Sequence, residues 1–119
     1  MPTARELLQT FAACLAVGDV VGAGDLWAPN AVYEEAPAYH FAGAETIQRF
    51  LADFVARHRD ARLTFRRMLA SPDGVTVAAE WEWRYVRTAD GEARRFTGMC
   101  FATARGGLLV EWKGYSAPS

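Results

Sequence analysis

The chain reads as an α+β protein, with three helices in its first half and a run of antiparallel strands in its second. Three observations predict this. Apolar residues recur at helical spacing through the first half, the period then switches from about 3.6 residues to 2, and turn residues punctuate the second half at hairpin spacing. At 119 residues the chain suffices for one core and is short for two, so residues 1–119 are expected to form a single domain.

Leu7, Leu8, Phe11, Cys14 and Leu15 make an amphipathic stripe, which predicts a helix from about Ala4 to Val17 stopped by Gly18. Asp19 fits as the N-cap of a short helix that carries Leu26 and Trp27. Pro29 and Asn30 lead into a strand, Ala31 to Glu35. A third helix opens after Gly43 and runs from about Glu45 to His58, with Ile47, Phe50, Leu51, Phe54 and Val55 on one face.

Strands follow at about Arg62 to Leu69, Val75 to Tyr85, Arg94 to Thr103 and Leu108 to Tyr115. Ser71-Pro72-Asp73-Gly74, Thr88-Ala89-Asp90-Gly91 and Arg105-Gly106-Gly107 turn the chain between them. Alternation is cleanest in the second of these strands. Val75, Val77, Ala79, Trp81, Trp83 and Tyr85 fall on one face, and Thr76, Glu80, Glu82 and Arg84 on the other.

Thirteen Lys and Arg stand against 14 Asp and Glu, a net charge of −1, so no global field draws the chain to nucleic acid or an anionic membrane. No run approaches the roughly 18 apolar residues of a membrane span, and the first residues lack the apolar core of a secretory signal. A soluble, cytoplasmic protein is expected. Cys14 and Cys100 are far apart with no CxxC spacing, which suits two reduced thiols. His40 and His58 lack metal-ligand spacing, so no metal site is expected, and His58 fits as a favourable charge at a helix C-terminus.

The order of these elements, punctuated by Gly18-Asp19, Gly43 and Gly106-Gly107 before an apolar strand, resembles the NTF2-like superfamily from about Leu7 to Tyr115. The nearest branches are the ketosteroid isomerase-like and SnoaL-like ones. The resemblance implies a cone, in which a curved antiparallel sheet has its concave face covered by the three N-terminal helices. It also implies a carboxylate at the end of the first strand facing the cavity, and Glu35 falls at that position. There it would serve as the base that takes a proton next to a carbonyl, with Tyr33 or another pocket Tyr orienting the substrate. The alternative for Glu34 and Glu35 is a pair of strand-end carboxylates in water.

Two departures from the isomerase pattern matter. The helix-one position of the oxyanion Tyr is matched by Phe11 and the strand position of the neutral Asp by Met99, neither of which can donate a hydrogen bond, so enolate stabilisation requires Tyr33, Tyr39, Tyr115 or a Trp indole in that role. The Asp-Arg-Asp set of the related limonene epoxide hydrolases finds only Trp81, Glu82 and Trp83 on one strand and Lys113 and Gly114 on the other. Likeness to SnoaL-like cyclases makes Glu111 a second candidate carboxylate, and the parity of its strand is open.

Phe11, Trp27, Phe54, Trp81, Trp83, Met99 and Tyr115 are the expected substrate-binding residues, the aromatic ones either lining a cavity or packing a plain core. Arg57, Arg59, Arg62, Arg66 and Arg67 form the one basic cluster, read as a solvated helix end and strand face or as a hold for an acidic group. The expected function is a cofactor-independent enzyme of isomerase, cyclase or dehydratase type acting by proton transfer on a small hydrophobic or ring-bearing carbonyl compound. The alternative is a non-catalytic ligand-binding or assembly module. A homodimer is expected, paired through the outer sheet face with charge pairs from Glu80, Glu82 and Arg84.

Overall fold

A computed structural model describes residues 1–119. Helix α1 (Ala4–Ala16) opens on a capping box, in which the Glu6 backbone N–H donates to Thr3 Oγ1 at 3.2 Å and the Thr3 N–H to Glu6 Oε1 at 2.9 Å. Gly18, with φ of 73°, ends the turn after α1 in the left-handed region that glycine tolerates. Asp19 caps α2 (Val20–Gly24) as expected, its side chain accepting from Gly22 N at 2.9 Å.

Helix α2 is shorter than predicted, and Trp27 belongs to the next element. Leu26 O accepts a hydrogen bond from Leu109 N at 2.7 Å, so a distant strand captures this segment and β1 spans Trp27–Ala36. A four-residue strand, β2 (Tyr39–Ala42), folds back on β1. It is too short to show a period in the sequence. Helix α3 (Ala44–Arg57) runs directly into β3 (His58–Ala70), four residues earlier than the predicted Arg62, because His58 already pairs with Arg87 of the following strand. Strands β4 (Thr76–Arg87), β5 (Ala93–Arg105) and β6 (Leu108–Pro118) complete one six-stranded sheet in the order β2-β1-β6-β5-β4-β3.

The α+β cone with three helices over the concave face is therefore present, with one refinement. The β1–β6 pair is parallel while the other four pairs are antiparallel. The helices bury Leu7, Leu8, Phe11 and Leu15 of α1 and Ile47 and Leu51 of α3 against Val77, Ala79, Trp81, Cys100, Ala102, Leu109 and Trp112 of the sheet. Leu8 is fully enclosed, and truncation of such a side chain to Ala typically costs about 2–5 kcal/mol. No helix is long and apolar enough to cross a membrane.

The outer sheet face corrects one expectation. Glu82 does not wait there for a partner subunit, because Arg66 and Arg84 (Nε at 2.7 Å) clamp it within the chain and Arg95 lies at 3.8 Å. The basic cluster is mostly self-satisfied too: Arg57 pairs with Asp53, Arg59 with Asp60, and Arg62 donates to Ala16 O. What the outer face does expose is apolar: Met99, Phe101 and Tyr115 are each more than half exposed and sit on adjacent strands.

Candidate functional site

Because side chains alternate along a strand, the strand pairing stacks inward-facing residues into rows across the concave face. Tyr33, Trp112, Ala102 and Val77 form one row. Glu35, Gly114, Cys100 and Ala79 form the next, and Ser116, Gly98 and Trp81 the one beyond it. Two of these positions are glycines for a steric reason. A Cβ on Gly98 would fall 2.6 Å from Trp81 Cζ2, and one on Gly114 would fall 2.7 Å from Trp112 Nε1, so both indoles lie down on bare backbone.

Between this floor and the helices lies a cavity of about 150 Å³. Phe11 and Leu15 of α1, Phe50, Leu51 and Phe54 of α3, and Trp81, Trp83, Tyr85, Phe96 and Trp112 of the sheet supply most of its wall. The rings are held by one another: Tyr33 stacks on Trp112 at 5.3 Å, Phe54 meets Trp83 at 5.2 Å and Tyr85 stacks on Phe96 at 6.1 Å. The aromatic stripe of β4 is thus core and cavity wall at once.

Glu35 enters this cavity and is 9% exposed. Its Oε2 accepts from Ser116 Oγ at 3.2 Å, and its Oε1 lies at the long distance of 3.4 Å from the donating Tyr33 hydroxyl. Burial raises the Glu35 pKa, and the Ser116, Trp112 and Tyr33 donors partly offset it by favouring the ionised form. None of the chain's ion pairs includes Glu35. The Trp112 N–H is near enough to matter to the carboxylate but misses hydrogen-bond geometry and has no partner. Burial and the adjacent Glu35 charge hold the Tyr33 phenol well above its ordinary range, and burial pushes the Cys100 thiol up to about 12, so both stay protonated at neutral pH.

Of the residues expected at the site, Glu35, Tyr33, Phe11, Phe54, Trp81 and Trp83 line the cavity. Three do not. Met99 and Tyr115 pair with each other across β5 and β6 and point outward, since the inward positions on those strands are Gly98 and Cys100, and Gly114 and Ser116. Trp27 is buried behind the wall, edge-on to Phe11 at 5.6 Å and to Tyr33 at 5.7 Å. Glu111 is also outside: the inward position beside it is Trp112, so Glu35 is the cavity's one carboxylate. Glu34 alternates to the other face, alongside Lys113.

Ser116 and Trp112 stand beside the carboxylate without being legible there in the sequence. The alternation Trp112-Gly114-Ser116 was the available signal, had the strand's parity been known. His58 Nδ1 lies 2.8 Å from Phe54 O at the end of α3, and its ring stacks on Phe54 at 4.2 Å. No three His, Cys, Asp or Glu side chains gather in a way that could hold a metal ion.

Residues 8–112 match the SnoaL-like domain family. Among solved structures, the chain is similar to a Bacillus subtilis protein provisionally assigned as an isomerase, with a TM-score of 0.84 and 24% identity over 96% of this chain and 86% of that one. A provisionally assigned polyketide cyclase of Pseudomonas putida gives a TM-score of 0.84 at 19% identity, covering 97% and 92% of the two chains. A Mycobacterium tuberculosis protein solved in complex with estradiol-17β-hemisuccinate gives 0.84 at 17%, covering 96% and 93%. At these identities the likeness concerns the fold alone. No curated protein matches the chain.

Proposed function

The chain belongs to the SnoaL-like domain family, and from that premise we propose that it is a proton-transfer enzyme for a small ring-bearing carbonyl compound, with Glu35 as its base. The observation that carries this reading is the Glu35 carboxylate, enclosed by aromatic walls, joined to no cation and flanked by hydroxyls. A carboxylate so desolvated binds a proton more tightly and approaches the working pH, where a base is most effective. The step requires a base and a hydrogen-bond donor, both available from side chains, so we take it to be cofactor-independent. The isomerase and cyclase assignments of fold neighbours agree with this class of chemistry.

The cavity's size supports a narrower substrate. An apolar cavity of about 150 Å³ holds a molecule of roughly benzene size, which is well below the four fused rings of the steroid ester bound by one neighbour. A single-ring ketone fits this volume. We further propose one domain over residues 1–119, a cytoplasmic location, and a two-fold homodimer whose subunits cover Met99, Phe101 and Tyr115 on the outer sheet face.

Deuterium exchange next to the carbonyl of small cyclic ketones, followed by NMR, tests the reading. Exchange catalysed by the wild type and lost in Glu35→Gln supports it. A second reading, ligand binding without turnover, is favoured by Phe11 and Met99, which occupy the family's donor positions without donors. Ligand binding with no exchange of any ketone would establish that alternative.

A further inference from the structure

Three buried side-chain polar atoms have no hydrogen-bond partner, and all three are tryptophan Nε1. Buried donors are almost always paired, so each exception calls for a reason. Trp27 stands outside the cavity, and Trp81 has the Cys100 sulfur beside it as a weak acceptor. Trp112 has the Glu35 carboxylate near it without hydrogen-bond geometry, so its N–H is the unpaired donor that stands beside the proposed base. The residue lines the cavity, is 1% exposed, and its Nε1 lies over Gly114, the residue paired in register with Glu35.

We propose that the Trp112 indole N–H is the donor that holds the substrate's carbonyl oxygen and stabilises the oxyanion formed there, so that Trp112 is a second catalytic residue in a site whose usual donor positions are Phe11 and Met99. The inference rests on Glu35 acting as the base. Glu35 removes a proton from the carbon next to the carbonyl, and the C–H electron pair becomes a carbon–carbon double bond. The carbonyl π pair moves onto oxygen, where the Trp112 N–H meets it. Indole is a donor only and keeps its proton. Glu35 then returns the proton to carbon, so no oxidant, reductant or co-reactant enters.

The geometry explains two glycines as well. Gly114 without a side chain lets the indole lie flat with its N–H close to the carboxylate, and Tyr33 stacked at 14° fixes the ring plane from the adjacent strand. Gly98 does the same for Trp81, which meets Trp112 at 6.0 Å and confines it from the other side. A donor fixed in advance in a dry site needs no reorganisation as charge develops, which is the condition under which one hydrogen bond matters most to rate.

Trp112→Phe keeps an aromatic ring against Tyr33 and removes the donor. In the deuterium-exchange assay with a small cyclic ketone, kcat should fall by about 10²- to 10³-fold, the usual loss of one oxyanion donor, with KM nearly unchanged. Wild-type kcat in a folded Trp112→Phe, with Glu35→Gln inactive, overturns the Trp112 role and leaves the base intact. If no ketone exchanges with the wild type, the base reading fails instead. A second measurement does not depend on turnover or on the variant's folding. 4-Nitrophenolate, a stable mimic of the enolate that is ionised near neutral pH, is titrated into 15N-labelled wild-type protein, with the indole resonances assigned through the backbone. The Trp112 Nε1–H signal should move downfield more than those of the other three tryptophans. A Trp112 signal that stays put while 4-nitrophenolate binds in the cavity overturns the proposal.

Discussion

Ser116 Oγ stands 3.2 Å from Glu35 Oε2, although 81 residues separate the two in the chain. The parallel pairing of β1 with β6 creates this contact, carrying Glu35 alongside Gly114 and one inward position from Ser116. The hydroxyl favours the ionised carboxylate while burial opposes it, so the pair tunes the proton affinity of the proposed base.

Glu35→Gln keeps the shape and removes the basicity. Turnover should fall by roughly 10²-fold or more with ring-ligand binding largely retained. Glu34→Gln, on the outer face beside Lys113, should leave both unchanged. Equal kinetics for the two variants would remove Glu35 from the mechanism.

The raised Glu35 pKa has opposite consequences for activity and stability. Folded Glu35 holds its proton more tightly than the unfolded residue, at about 4.3, so between those two values the folded state binds more protons and stability falls as pH rises. Glu35→Gln should therefore melt higher than wild type at neutral pH, the gap narrowing as pH drops toward the ordinary carboxylate value. Activity should rise with pH through the same window, because the base must be ionised. Melting curves and pH–rate profiles read both, and a wild type more stable than Glu35→Gln at neutral pH contradicts the sign.

Gly98→Ala tests the floor of the cavity. The new methyl would meet the Tyr115 backbone carbonyl oxygen and press on Trp81 at 2.6 and 2.8 Å, contacts too short to survive without movement of both β6 and a buried indole. A loss of about 1–3 kcal/mol, typical of overpacking, is expected in denaturant unfolding, together with weaker binding of ring ligands. An unperturbed melting temperature would mean that β6 and Trp81 both have room to move away.

Ligand size should discriminate sharply. Single-ring ketones and phenols should quench indole fluorescence and raise the melting temperature, whereas a four-ring steroid should do neither. Phe54→Ala, which removes a wall ring, should extend the accepted range to two fused rings. Steroid binding as tight as that of a single ring would show that the cavity opens beyond about 150 Å³.

Assembly is read from Phe101, which is 56% exposed on the outer face beside the cross-strand pair of Met99 and Tyr115. A charge placed there cannot be buried without cost, so Phe101→Glu should give a monomer by light scattering under conditions where the wild type is a dimer. A wild-type monomer at micromolar concentration would dispose of the proposed interface altogether.

The periodic elements were legible in the sequence. The stripe of α3, the cap at Asp19, the hairpin turns and the two faces of β4 follow from residue spacing and local turn chemistry, which depend on neighbours only a few positions away. Glu35 as an inward strand-end carboxylate came from the resemblance, with Tyr33 on the same face two residues earlier. Short and captured segments were not legible: β2 is too brief to show a period, and Trp27 joins β1 because distant Leu109 bonds Leu26. The tertiary structure alone decided which face of β6 looks inward, since Leu108 to Tyr115 alternates ambiguously until β1 and β5 fix its register. That choice turned Glu111 and Tyr115 outward and brought Trp112 and Ser116 beside Glu35, because pairing between strands far apart in the chain leaves no periodic trace in either one.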